Sequence, residues 1–206
     1  MTESDRPAPV SVHPATWKFD YPIFHAETRE HWRTWLATDG STARGVWLCS
    51  WRTTTDRTRC PYPDAVEEAI CFGWIDSTTT NLDEERSLQL YTPRRAKSPW
   101  TRLNRDRAAE MERRGLMTDA GRRAIAAAKA NGWWTISQQV EDLIDPPDLT
   151  AALGLNANAG AVWATFPPSA RKQMLWWIVS AARDDTRAGR IAEIVAAAAD
   201  GRRARG

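Results

Sequence analysis

Asp76 is the residue whose type and position could support acid–base chemistry. It follows Trp74 by two positions in the segment GWIDS, and alternate residues of a strand point to the same face of a sheet. A carboxylate beside large rings can have a raised pKa and can serve as a general acid or base. A carboxylate that is simply held by a nearby arginine would show the same pattern. The acids Asp83, Glu84 and Glu85 lie in a predicted loop, so no catalytic carboxylate pair is indicated.

A basic segment further along the chain could bind an anion. From Arg94 to Arg107 there are six basic residues against one acid, Asp106, and such a cluster attracts phosphates, carboxylates or acidic partners. Within it, Ser98 and Pro99 are typical of a helix start, with a hydroxyl cap followed by proline in the first turn. The free N–H groups of a helix N-terminus attract anions, and arginines strengthen that attraction. A solvated loop and helix face would carry the same charges, so both interpretations stay open.

Together these two groups of residues predict a groove between the strand that carries Asp76 and the basic segment. In this groove the cationic residues would supply charge, the serine and asparagine would orient the ligand, and the tryptophans would form apolar walls. The predicted ligand-binding residues are Trp74, Asp76, Arg94, Arg95, Lys97, Ser98, Trp100 and Asn104. Thr186, Arg187 and Arg190 either border the same groove or cap and clamp the last helix, and the second interpretation is favoured.

The sequence contains no recognisable metal, nucleophile or cofactor motif. The three histidines match no zinc-ligand pattern, and no GxSxG, P-loop or GxGxxG motif occurs. Cys49, Cys60 and Cys71 include no CxxC pair, and Cys71 lies between apolar residues, which favours an inert core thiol. We therefore predict no metal site and no cofactor.

The composition is that of an ordinary globular protein, except for its 12 Trp. Most of these rings are expected in a core, since each buries roughly 150–250 Å². The formal net charge of +2 argues against a dedicated nucleic-acid protein. The odd number of cysteines and the lack of an apolar leader indicate a reducing compartment, so a cytoplasmic protein is expected. No apolar run approaches the roughly 20 residues that span a bilayer.

The N-terminal half is predicted to form a small antiparallel sheet with flanking helices. Strands are expected at WKFDYPIF, at GVWLCSWR, around GWIDS and at SLQLYT, the last two joined by a hairpin loop. Pro22 confines the first strand to a sheet edge. Thr28 is expected to cap one helix, and Asp64 with Glu67 resembles a capping box for the next.

The later part of the chain has a helical pattern throughout. Helix starts are expected at Ser98, Thr118, Asp148, Pro167-Pro168 and Asp185 or Thr186. The predicted organisation is a flexible arm at residues 1–16, a core at 17–144 that carries the GWID and PRRxKS motifs, and a helical module at 145–206 packed against the core. The predicted fold class is therefore α+β.

Four segments, taken together, resemble one known protein family. EEAICFGWIDS, YTPRRAKSPWTRLN, GLMTDAG and LWWIVSAARDDTRAGRI are similar to segments of the YdeI/OmpD-associated family, the bacteriocin-protection proteins. The similarity covers roughly Trp32 to Ala196, and its last part resembles the C-terminal helical module of that family. The chain departs from the usual pattern at Ser77, Pro99 and Thr101.

The resemblance implies a role rather than a reaction. Its name connects the family with resistance to bacteriocins or antimicrobial peptides and with an outer-membrane porin. The leading hypothesis is a stress-protection protein of undefined activity that binds an anionic small molecule or peptide in a groove lined by tryptophan and arginine. One alternative is an enzyme that acts on a phosphorylated or nucleotide-like substrate with Asp76 as acid or base. The other is a basic nucleic-acid accessory protein, which the net charge disfavours.

Overall fold

The computed structural model describes residues 20–204, which divide into two compact units. The first unit consists of the residues up to Ser98 and Leu103–Asn131, and the second of Pro99–Arg102 and the residues from Gly132 onward. This division falls before the predicted boundary at residues 144/145. The predicted arm at residues 1–16 lies outside the described residues.

Within the described residues, the first unit contains one four-stranded sheet. The strands are β1 (Ile23–His25), β2 (Val46–Trp51), β3 (Trp74–Asn81) and β4 (Arg86–Pro93), in the order β1-β2-β4-β3. β3 and β4 form the predicted hairpin, and β1 lies at the sheet edge. The α+β class is confirmed, but the sheet is mixed rather than antiparallel because β1 pairs with β2 in parallel.

Two helices, α1 (Arg29–Thr38) and α2 (Tyr62–Cys71), pack on one face of the sheet. In the sequence α1 follows β1 and precedes β2, and this crossover returns the chain to the end of the sheet from which β1 started, as a parallel pair requires. The Thr28 hydroxyl accepts a hydrogen bond from the backbone N–H of His31, which confirms the predicted N-cap. The apolar core on this face includes Trp32, Leu36, Val46, Leu48, Trp74 and Tyr91.

The predicted capping box of α2 is wrong. The helix begins at Tyr62, directly after Pro61, so Asp64 and Glu67 lie inside it rather than at its cap. Both carboxylates contact Nη1 of Arg29, at 3.4 and 2.8 Å. The two acids therefore connect α2 to α1 instead of satisfying free N–H groups at the helix start.

Glu68 is the centre of a buried ion-pair network between these helices. It is 1% exposed, and it accepts hydrogen bonds from Nε of Arg29 at 2.6 Å and from Nη1 of Arg33. Burying this charge is tolerable because both guanidinium groups compensate it. Arg33 also donates to the carbonyl of Leu116, so the network extends to the segment before the helix that begins at Asp119.

Helices α3 (Arg102–Arg113) and α4 (Asp119–Ala130) follow the sheet. The predicted helix start at Ser98 is wrong, because its hydroxyl accepts a hydrogen bond from the backbone N–H of Arg95 and closes a turn. The predicted cap of α4 is confirmed, since the Thr118 hydroxyl accepts a hydrogen bond from the N–H of Gly121.

The second unit is helical in its described residues. Its helices are α5 (Ile136–Glu141), α6 (Pro147–Gly154), α7 (Ala157–Thr165), α8 (Pro168–Val179) and α9 (Asp184–Ala199). The predicted proline start of α8 is confirmed. The caps predicted at Asp148 and at Asp185 or Thr186 are wrong, since α6 and α9 begin before them and these residues lie in the first turns.

Candidate functional site

The first unit contains a cavity of about 620 Å³ on the helix-covered face of its sheet. The floor residues come from three strands and are Leu48, Ser50, Thr79, Ser87, Gln89 and Tyr91. The other walls belong to the β2–α2 loop and the start of α2, and they include Trp51, Arg52, Arg59, Cys60 and Tyr62. This volume lies in the range of roughly 300–1,000 Å³ that is typical of small-molecule pockets.

The strand register explains why this part of the sheet is open. On β2, Val46 and Leu48 pack in the core, but Ser50, the next residue on that face, is polar. Across the ladder, Leu48 pairs with Gln89, and Ser50 pairs with Ser87. The same face thus changes from an apolar core to a polar floor along the strands, and the cavity lies over the polar end.

Tyr91 places an unsatisfied hydroxyl at the apolar end of this floor. The residue is 0% exposed, and among the described residues its hydroxyl has no hydrogen-bond partner. Burial raises the pKa of this phenol strongly, and the charge of nearby Asp76 adds to the effect. The group is therefore neutral and can donate a hydrogen bond to a ligand. A buried polar group without a partner costs stability, so it calls for an explanation.

Tyr62 and Asp76 form a hydrogen-bonded pair beside Tyr91. The Tyr62 hydroxyl donates to Oδ2 of Asp76 at 2.7 Å, and Asp76 pairs with Tyr91 across the β3–β4 ladder. Burial, together with the bond to Asp76, raises the pKa of Tyr62 to about 12. Tyr62 lines the cavity, whereas Asp76 is not among its lining residues.

Arginines give the cavity a positive wall. Arg52 and Arg59 line it, and among its lining residues, all of which lie in the described part of the chain, there is no carboxylate. A third arginine of the same loop, Arg57, stacks on the Trp51 ring with its guanidinium carbon 4.5 Å from the ring centroid. The wall is therefore suited to an anionic group.

The structure brings three of the predicted site residues together. Trp74 is 3% exposed and meets the Trp35 ring edge to face, with the centroids 5.7 Å apart, so it belongs to the core. Arg94 donates from Nε to the carbonyl of Trp74 at 3.2 Å. Burial lowers the pKa of Arg94 to about 10, and the carboxylate of Asp76 opposes that shift. Arg94 is thus a half-buried partner of β3.

The other predicted residues are dispersed. Arg95 and Lys97 are exposed, and Ser98 is engaged in its turn. Asn104 accepts a long hydrogen bond, 3.4 Å, from Arg107. Trp100 belongs to the second unit, where its ring lies 5.0 Å from that of Trp134 and its carbonyl accepts a hydrogen bond from the Ser137 hydroxyl. The helix N-terminus that was predicted to begin at Ser98 and to bind the anion does not form there.

Arg187 and Arg190 each connect α9 to another helix of the second unit. Arg187 donates from Nε and Nη2 to Asp148 at 2.6 and 2.9 Å, which connects α9 to the first turn of α6. Arg190 donates to the carbonyl of Trp177 and to the Ser180 hydroxyl at the end of α8. These bonds agree with the interpretation of the two arginines as clamps.

The buried thiols and the acidic side chains offer little further chemistry. Burial raises the pKa of Cys60, which lines the cavity, to about 12, and the pKa values of Cys49 and Cys71 to about 11. All three thiols are therefore protonated near neutral pH and poor nucleophiles. Among residues 20–204, no group of three or more His, Cys, Asp or Glu could hold a metal ion.

Sequence reasoning missed Tyr62, Tyr91, Arg52 and Arg59. One signal was available: Ser50, Ser87 and Gln89 interrupt an otherwise apolar strand face, which is typical of a cavity floor. The loop arginines gave no comparable signal. Their position depends on how the β2–α2 loop folds over the sheet, and no local pattern encodes that path.

Two family models match separate parts of the chain. Residues 24–124 match a Domain of unknown function (DUF8412), and this range contains the cavity and the GWID and PRRxKS motifs. Residues 142–201 match the family described as Bacteriocin-protection, YdeI or OmpD-Associated, which confirms the resemblance for the C-terminal part. No curated protein and no solved structure matches the chain. In the range 20–204, no helix combines the length and the apolar character needed to cross a bilayer.

Proposed function

We propose that the first unit binds an anionic small molecule in the cavity over its sheet. The buried Tyr91 hydroxyl carries this proposal, because it has no partner among the described residues and belongs to the cavity floor, where a ligand can supply one. The size of the cavity supports a small molecule rather than a folded partner.

The arginines of the cavity wall indicate the sign of the ligand charge. Arg52 and Arg59 line the cavity without a carboxylate among the described lining residues, so the wall would attract a carboxylate or phosphate. The side chains of the floor can add neutral hydrogen bonds. A cationic ligand would find no counter-charge in this lining.

The C-terminal match supports a coarser statement about biological role. Residues 142–201 match a family named for bacteriocin protection, which supports a protection-type role of undefined activity for the chain. We infer that ligand binding in the first unit serves that role. Of the predicted groove, Arg95 and Lys97 form a second candidate site for the same class of ligand, and their exposure supports it.

The binding proposal can be tested directly because Trp51 lines the cavity and reports on it through fluorescence. Titration with benzoate and with inorganic phosphate is expected to change the emission of the wild-type protein. Arg52→Gln and Arg59→Gln should each weaken binding about tenfold, since each removes a charged hydrogen-bond donor. Arg95→Gln with Lys97→Gln is the matched control and should leave the affinity unchanged.

The possible outcomes separate the two candidate sites. If the control variant loses binding while the cavity variants keep it, the ligand site is the predicted basic segment. If neither anion binds the wild type, the cavity proposal is wrong. Binding that survives loss of both cavity arginines would exclude an anion-specific wall.

The enzymatic alternative stays a prediction that Asp76 can test. The Tyr62 hydroxyl donates to its carboxylate, and the side chain does not line the cavity. If Asp76→Asn keeps ligand affinity and any turnover, an acid–base role is excluded. The nucleic-acid alternative requires affinity for a mixed oligonucleotide that falls steeply with salt concentration.

A further inference from the structure

The two ends of the cavity differ in chemistry. Arg52 directly follows the last residue of β2, and the nearest floor pair is Ser50 with Ser87. Tyr91 lies four residues further along β4 than Ser87, which is about 13 Å for an extended strand. The arginine end and the tyrosine end are thus separated along the strands.

The tyrosine end is less favourable for an anionic group than the arginine end. Tyr91 pairs across the ladder with Asp76, and the same carboxylate accepts the hydrogen bond from Tyr62. A negative ligand group beside Tyr91 would therefore approach a carboxylate, which the nearby guanidinium of Arg94 compensates only in part. The Tyr91 phenol is a neutral donor, and beside the Asp76 carboxylate the acceptor that suits it is a neutral one such as a carbonyl oxygen.

Between these ends the polar floor residues are accompanied by apolar lining residues. The side chains there that offer carbon or sulfur surface include Leu48, Cys60, Pro61, Pro63 and Ala65. The exposed ring of Tyr62 adds a flat surface. Such a lining favours a flat organic body over a hydrated inorganic ion.

We propose that the ligand is an elongated organic anion with three parts. Its carboxylate or phosphate lies by Arg52, its flat apolar body lies over the sheet, and a neutral acceptor at its far end accepts the hydrogen bond of Tyr91. This inference rests on the proposed function and adds the class of ligand and its orientation. Tyr91 is the residue that determines specificity.

Two pairs of isosteric probes test the inference. 4-Acetylbenzoate and 4-isopropylbenzoate share the anion and the ring and are close in size, but of the two substituents the acetyl group alone carries an acceptor. The corresponding cinnamates form a longer pair. In isothermal titration calorimetry the wild type should bind the acetyl member of at least one pair about three- to tenfold more tightly, as a single neutral hydrogen bond allows.

The variants then identify the groups responsible. Tyr91→Phe should abolish the tighter binding of the acetyl probe relative to the isopropyl probe. The affinity for the isopropyl probe should stay unchanged. Arg52→Gln should weaken both members of a pair equally and keep their ratio. This pattern would assign the acceptor end to Tyr91 and the anionic end to the arginine wall.

Other outcomes separate this inference from the proposed function. If each acetyl and isopropyl pair binds equally well, or Tyr91→Phe keeps the preference, the orientation is wrong while an anion site remains. If phosphate binds through the arginines and no organic probe does, the ligand class is wrong. If neither the organic probes nor phosphate bind, both proposals fail.

Discussion

The phenol of Tyr62 donates a hydrogen bond of 2.7 Å to the carboxylate of Asp76 and joins the start of α2 to β3. The same carboxylate lies opposite Tyr91 in the β3–β4 ladder. Two tyrosines from distant parts of the sequence therefore surround one acid beside the cavity. The hydroxyl of Tyr62 has a hydrogen-bond acceptor, whereas that of Tyr91 has none among the described residues. Removing the two hydroxyls should therefore have opposite effects on stability.

Tyr91→Phe should stabilise the protein. The substitution removes a buried hydroxyl that has no partner among the described residues, so we expect the free energy of unfolding to rise by about 1 kcal/mol. Tyr62→Phe is the matched control, since the same chemical change there breaks a hydrogen bond and should lower the stability. Urea unfolding at neutral pH measures both. A loss of stability in Tyr91→Phe would mean that the hydroxyl is satisfied in the unliganded protein.

The buried network around Glu68 should contribute strongly to stability. Arg29→Met removes one of the two arginines that neutralise this carboxylate, so we expect a loss of about 3 kcal/mol in the free energy of unfolding. Arg113→Met breaks an exposed pair with Glu110 and should have no measurable effect. Equal effects in the two variants would show that burial does not distinguish these ion pairs.

Gly121 should tolerate no side chain. A methyl group there would overlap the carbonyl oxygen of Cys71 and the sulfur of Met117. Gly121→Ala is therefore expected to cost about 1–3 kcal/mol in thermal or urea unfolding. Gly189→Ala in α9 has open space around it, and it should stabilise the protein by about 0.5–1 kcal/mol. If both substitutions stabilise the protein, α4 must pack less closely against the carbonyl oxygen of Cys71 than the structure shows.

Stability should decline at alkaline pH. Burial raises the pKa of Cys49 and Cys71 from 9.0 to about 11, and burial also raises that of Tyr62 from 10.0 to about 12. The unfolded chain therefore releases these protons first as pH rises. Their stabilising effect is complete below the unfolded values and is lost as pH rises through the folded ones.

Urea unfolding between about pH 8 and about pH 10.5 should show this decline as a falling free energy of unfolding. A variant with Cys49→Ala and Cys71→Ala should have a shallower slope, whatever its absolute stability. A slope that does not change in that variant would assign the alkaline loss to other groups.

The elements were predictable where their signals are local. The Thr28 and Thr118 caps and the β3–β4 hairpin depend on a few neighbouring residues, and the structure contains them. Ser98 shows the limit of such signals, because the same hydroxyl can cap a helix or close a turn. The choice depends on contacts that its neighbours alone do not determine.

The candidate site was less predictable than the fold. Asp76 was identified from its strand, but its partner Tyr62 and the cavity residue Tyr91 depend on strand register and on the packing of α2. Arg94 was predicted as a ligand donor from its charge. Its burial against Trp74 depends on the three-dimensional fold, and charge patterns in a sequence do not contain that information.

The short segment Pro99–Arg102 has a consequence for how the gene can be divided. It belongs to the second unit, although residues of the first unit lie on both sides of it in the chain. A fragment that starts at Gly132 would lack Trp100, which contacts Trp134 and accepts a hydrogen bond from Ser137. No single cut in the coding sequence therefore yields both units intact, and their inheritance as separate modules would require rebuilding this contact.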